Sequence, residues 1–241
     1  MSSKSQPARP SSSGGGRRRP PPPPVAKPKP WGLVAGVLLL ALFLGAILTY
    51  AIINAGSESA RGELAQVRER LEADGGVQVY EDLARGHVEG NVDYPQNPPV
   101  GGDHNGVWQN CQGIVYSQQI AEEHAVHALE HGAVWITYRP DLPADEVELL
   151  GGDVTGTDYM MLSPNPGQES PVVLTAWGRQ LALDTANDAR VGEFIQAYRV
   201  SRTQEPGATC SSPLTVEGVD QPLTAEQLSQ VAGAEPMPEA S

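Results

Sequence analysis

Residues 31–54, WGLVAGVLLLALFLGAILTYAIIN, contain no charged side chain. A helix needs ~20 apolar residues to cross a hydrocarbon core, so a run of this length limits the segment to a bilayer or to complete burial. Trp31 and Tyr50 stand near its two ends, where amphipathic rings favour the membrane interface. A cleaved signal peptide, with Ala55-Gly56-Ser57 as its cleavage site, is the competing reading. Such peptides have an apolar core of only ~7–15 residues, so the longer run predicts an uncleaved anchor.

Orientation follows from the flanks. Lys4, Arg9, Arg17, Arg18, Arg19, Lys27 and Lys29 precede the run, and no acid appears before Glu58. Basic flanks stay cytoplasmic, which places the N-terminus inside and the chain from about residue 55 outside the cell membrane. Residues 1–30 are Ser, Gly, Pro, Arg and Lys, with too little apolar surface to offset chain entropy. They predict a disordered basic tail, with Pro20 to Pro24 extended as polyproline. The tail takes seven of the 16 basic residues and none of the 29 acids, so the outer part is strongly acidic. That charge excludes nucleic acid and anionic lipid headgroups as ligands of the outer domain. It suits solubility, cations or a basic envelope partner.

Cys111 and Cys210 are the two cysteines. In an oxidising compartment a disulfide is the simplest use, and two thiolate metal ligands are the alternative. A bridge would close a loop of ~100 residues, worth ~4.7 kcal/mol by chain entropy.

Periodicity predicts a juxtamembrane helix over residues 57–74, with Leu64, Val67 and Leu71 on one stripe and Gly75-Gly76 as its stop. Brief strands are expected around Val77, Val79, Val88 and Val92. A loop shaped by Pro98-Pro99 and Gly101-Gly102 follows. Helices are predicted over 119–131, 145–150 and 184–198, with a minor one over 224–231. Strands are predicted over 133–138, 159–162, 172–176 and 180–183. Short strands and helices without a repeating βαβ pattern give an α+β class: one transmembrane helix, then a small mixed extracytoplasmic domain. The boundaries are 1–30 tail, 31–54 span, 55–76 juxtamembrane helix, 77–215 domain and 216–241 a largely disordered extension.

All five histidines fall between residues 87 and 131. On a helix His127 and His131 are one turn apart and share a face, with His124 close to it. Two imidazoles so placed can hold one metal ion, and His104 or His87 supplies a further ligand. Outside the cytoplasm such a site suits copper or zinc. Met160-Met161 offers a soft ligand if one of the pair turns from the core. Trp108, Trp135 and Trp177 are expected in the core rather than in a pocket.

Residues 127–131 also spell H-x-x-E-H, the inverted zinc-peptidase motif, whose glutamate is a general base. Gly132 stops the helix at once, and Glu205, a downstream acid, lies in a Pro/Gly loop. The peptidase reading is therefore set below metal binding, and no catalytic residue is assigned. No Walker loop, GxSxG or dinucleotide fingerprint occurs.

Several of these residues recur as a set: His87-Val88, Tyr94, Pro98-Pro99-x-Gly-x-x-His104, Trp108-x-Asn110-Cys111, Ala125-Val126-His127-x-Leu-Glu-His-Gly132, Tyr138, Ser163-Pro164-x-Pro-Gly167 and Thr175-Ala176-Trp177-Gly178. Over about residues 60–211 the chain resembles a bacterial family known only as a domain of unknown function. The resemblance implies a single-pass, membrane-anchored extracytoplasmic protein and no established activity. His87, His104, His127 and His131 fall on the family pattern, and His124 does not. Three functions follow: a transition-metal domain using His104, His127 and His131 with His87 in support; a metal-free envelope interaction or ligand-binding module; and a metal-dependent hydrolase using His127, Glu130 and His131.

Overall fold

The computed structural model describes residues 31–233. The basic tail expected over 1–30 and the last eight residues lie outside them. The chain divides into two units, Met1–Asn54 and Ala55–Ser241.

The first helix, α1, is Trp31–Ala73. Its stretch up to Asn54 is apolar all round, with Leu33, Leu38, Leu39, Leu42, Phe43 and Ile53 exposed. This is a helix long and apolar enough to cross a membrane. The two helices expected over 31–54 and 57–74 are assigned as one element, Trp31–Ala73: no proline falls between 54 and 60, and Gly56 there costs only ~1 kcal/mol. The helix stops where expected, before Gly75-Gly76.

The second unit is built on a mixed sheet. Its strands are β1 (Gln78–Val79), β2 (Gln112–Val115), β3 (Val134–Tyr138), β4 (Met160–Pro164), β5 (Val172–Ala176) and β6 (Arg179–Leu183). Among the described residues the order is β1-β6-β5-β3-β4-β2. β2, β4 and β3 run parallel, and β3, β5, β6 and β1 pair antiparallel. The helices are α2 (Glu122–Glu130), α3 (Ala144–Val154), α4 (Arg190–Tyr198) and α5 (Ala225–Gly233).

Side chains alternate across a strand, so each central strand feeds two cores. Val134 and Ile136 of β3, with Met160 and Leu162 of β4, join Leu150, Val154, Phe194, Tyr198 and Leu71 under α3, α4 and the end of α1. Trp135 and Met161 point the other way, into a second core with Ala125, Val126, Ala128, Leu129, Trp177 and the cysteines. α2 lies on that second face. Both members of the Met160-Met161 pair are therefore core residues, on opposite faces of the sheet.

Some elements differ from expectation. The helix expected over 145–150 runs on through Gly151-Gly152 to Val154, because burying Leu150 and Val154 outweighs a glycine cost of ~1 kcal/mol per residue. The helix expected from 184 begins at Arg190, since the Asp188 carboxylate takes the Arg190 backbone N–H and guanidinium and holds a turn there. No strand forms at Val92. His87 and His104 instead make an isolated parallel bridge. Residues 214–223, beyond the last cysteine, lie against the domain: Asn110 N–H donates to Leu214 O, Gln109 Nε2 to Val216 O, and Leu223 N–H to His124 Nε2.

Candidate metal centre

α2 is buried over almost its whole length, polar residues included. Its sequence places His124, His127, Glu130 and His131 on one stripe and Ala125, Val126, Ala128 and Leu129 against the core. Its first turn carries Glu122 and Glu123, which suits the positive end of the helix dipole. Gly132 ends it with φ +104°. That conformation lets the chain turn straight into β3, and a Cβ there would stand 3.1 Å from Val200 Cα and Thr203 Cβ.

The bridge between the two loops brings His87 and His104 together. Val88 N–H donates to His104 O, and His104 N–H to Gly86 O. Asp103 braces the pair by accepting Gly86 N–H at 2.8 Å, and Tyr94 O–H donates to Asp103 O at 2.7 Å. The His87 and His104 rings lie 5.0 Å apart, and each is within 4.9 Å of the His127 ring.

The histidine tautomers follow from their partners. His104 Nδ1 meets Gly102 O at 2.8 Å, His127 Nδ1 meets Asn105 O at 2.7 Å, and His131 Nδ1 meets Thr209 O at 2.8 Å. A carbonyl oxygen can only accept, so each Nδ1 carries a proton and Nε2 is the nitrogen left to meet a ligand. Histidines that bind metals are oriented in this way by a backbone or carboxylate acceptor behind the ring. Burial, and then the neighbouring imidazoles, push the His127 pKa down to about 3, which keeps that ring neutral.

Two carboxylates face these nitrogens. Glu130 Oε2 is 2.9 Å from His104 Nε2 and 4.0 Å from His87 Nε2. Although close, the His104–Glu130 contact lacks hydrogen-bond alignment, so the buried His104 Nε2 is unpartnered among the described residues. Glu205 Oε2 is 3.2 Å from His131 Nε2. A cation placed between each ring nitrogen and its carboxylate, a proton or a metal ion, would satisfy both partners. His87, His104, His127 and Glu130 offer ligand atoms all within 4.8 Å of one another, and so do His127, His131 and Glu205. Both groups could hold a metal ion.

The structure thus gathers His87, His104 and His127 with Glu130, and places His131 in a second group with Glu205 that shares His127. His124 is spent elsewhere: Nδ1 donates to Val107 O at 2.6 Å and Nε2 accepts Leu223 N–H at 3.0 Å. Sequence reasoning gave Glu130 only a peptidase role and used Glu205 only as an argument against one. Glu130 was signalled by its place on the histidine stripe. Glu205 was signalled by Cys210 nearby, since the Cys111–Cys210 disulfide ties its loop to the segment that carries Asn105 and Trp108. Two of the tryptophans expected in the core flank the site. Trp108 packs against His127 and His131, with ring centroids 5.5 and 4.6 Å away, and Trp177 meets His104 edge-on at 6.0 Å. A cavity of about 630 Å³ opens beside His87 and Asn105, closed on its other side by Pro222, Leu223 and Leu228.

Residues 87–212 match a family described as a protein of unknown function (DUF3105), a span that holds all five histidines, Glu130, Glu205 and both cysteines. Neither a curated protein nor a solved structure matches the chain.

Proposed function

The chain belongs to the DUF3105 family, and we propose that it is a single-pass membrane protein whose outer domain binds a transition metal, copper or zinc. His104, His127, His87 and Glu130 form the primary ligand set, and His131 lies beside it. One observation carries this reading: His104, His127 and His131 each donate Nδ1–H to a backbone carbonyl and leave Nε2 for a ligand, and buried His104 Nε2 has no hydrogen-bond partner among the described residues but lies 2.9 Å from Glu130. Imidazole and carboxylate together suit a borderline divalent ion. The apolar helix, the basic residues before it and the disulfide after it support an outer location.

The test is elemental analysis of the full-length chain in detergent, loaded with copper or zinc and then desalted. At least one tightly held ion per chain is expected, with a clear loss in His127→Ala. No stoichiometric metal in the wild type would sink the proposal.

A second reading is favoured by one specific contact. Glu205 joins His127 and His131, giving the two-histidine, one-glutamate set of many zinc hydrolases, with Glu130 adjacent in sequence to His131. Chelator-sensitive peptide hydrolysis that disappears in Glu130→Gln supports it, and inactivity of the zinc-loaded chain against a peptide library rejects it.

A further inference from the structure

The arrangement of a ring nitrogen facing a carboxylate occurs twice. His104 Nε2 faces Glu130 at 2.9 Å, and Nε2 of the buried His131 faces Glu205 at 3.2 Å. One ion held by the first group leaves the donors His131 and Glu205 unused. His127 belongs to both groups, but its Nδ1 is committed to Asn105 O, so its Nε2 serves a single ion. If His127 is assigned to the second group, the donors divide evenly. His87, His104 and Glu130 form one set, and His127, His131 and Glu205 form the other. Each is two imidazoles and one carboxylate, a sufficient protein set for a divalent ion that keeps an open position.

Resting on the metal-binding reading above, we propose that the centre holds two metal ions side by side. The deep ion takes His104 and Glu130, both buried, with His87 at the edge of the cavity. The shallower ion takes His127 and His131 under the Trp108 ring, with Glu205 closing it from the solvent side. Paired ions of this kind usually sit ~3.5–4 Å apart and can hold one oxygen ligand between them.

The experiment uses the full-length chain in detergent and zinc alone as the probe. Metal per chain is counted after loading and desalting, for wild type, Glu205→Gln and Glu130→Gln. Two zinc ions are expected in the wild type and one in each variant. Glu205 is a safe position to change, because its side chain is about half-exposed and the loop's own bonds, such as Glu205 N–H to Thr203 Oγ1, use the backbone. An intact Cys111–Cys210 bridge checks that each variant has folded. Copper(II) gives a second readout. Two coupled ions suppress the isolated-ion paramagnetic signal, and Glu205→Gln restores it.

One zinc in the wild type overturns the second ion and leaves the metal-binding reading standing. Two zinc ions that persist in Glu205→Gln mark the extra ion as adventitious surface binding and also overturn the proposal. No zinc at all overturns both readings.

Discussion

Replacing Glu122 by Gln should stabilise the domain at alkaline pH and do nothing at acid pH. Glu122 opens α2 beside Glu123, whose Oε1 accepts Val92 N–H and whose Oε2 is buried and unpartnered among the described residues. Burial first, and the Glu123 charge second, push the Glu122 pKa up from 4.5 to about 7. A pKa raised in the folded state gives stability that is complete below the unfolded value and lost as pH climbs through the folded one. At ~1.4 kcal/mol per unit the shift corresponds to about 3 kcal/mol lost between pH 4.5 and pH 8. The N-terminal helix dipole returns about 0.3–1 kcal/mol to the charged form, and partial exposure of Glu122 reduces the penalty further. Glutamine stays neutral throughout, so Glu122→Gln should gain about 2 kcal/mol at pH 8 and nothing at pH 4.5. For a unit of this size that is a rise in Tm of roughly 4–8 °C at pH 8. Urea unfolding followed by tryptophan fluorescence at pH 4.5, 6 and 8, with chelator present, measures it. A gain of equal size at all three pH values, or a loss at pH 8, would refute the argument.

Removing the disulfide by Cys111→Ala with Cys210→Ala should lower stability by about 4 kcal/mol, read as an earlier urea midpoint with a steeper slope, because the unbridged unfolded chain exposes more surface. The same variant should retain less metal, because Thr209, which orients His131, and Glu205 lie on the released loop. His124→Ala should cost about 1–3 kcal/mol, since it leaves Leu223 N–H buried without an acceptor, yet keep the wild-type metal content; lost metal would contradict the structural role assigned to that ring. Gly132→Ala should destabilise by about 1–3 kcal/mol, combining a positive φ with the approach to Val200 and Thr203, and a neutral thermal melt would count against it.

The parts of the chain legible in sequence were those decided locally. The long apolar helix needed only length and an absence of charge, and β3 needed only β-branched and aromatic residues after Gly132. The single stripe on α2 followed from helical spacing, so the closeness of His127 and His131 could be read directly. What spacing could not reveal was acceptor geometry. Whether a histidine is a ligand or a strut depends on what meets its two nitrogens, and His124 is a strut because Leu223, far along the chain, reaches its Nε2. Pairing of the loops at His87 and His104 was likewise invisible, because it rests on two backbone hydrogen bonds and the Asp103 brace rather than on any strand pattern. Glu205 was set aside as a loop residue, and long-range contacts return it to the helix: Gln204 N–H and Thr203 O–H donate to Glu130 O, and the Cys111–Cys210 bridge ties down the chain beyond it.

That bridge also gives maturation an order. A chain still reduced has nothing covalent to hold the loop bearing Thr209 and Glu205 against His131, so hydrogen bonds such as Gln204 N–H to Glu130 O must hold it alone. On the proposed metal-binding reading, oxidation is the step that favours loading. On the proposed outer location, metal met before the cysteines pair would find a looser set of ligands than metal met after export.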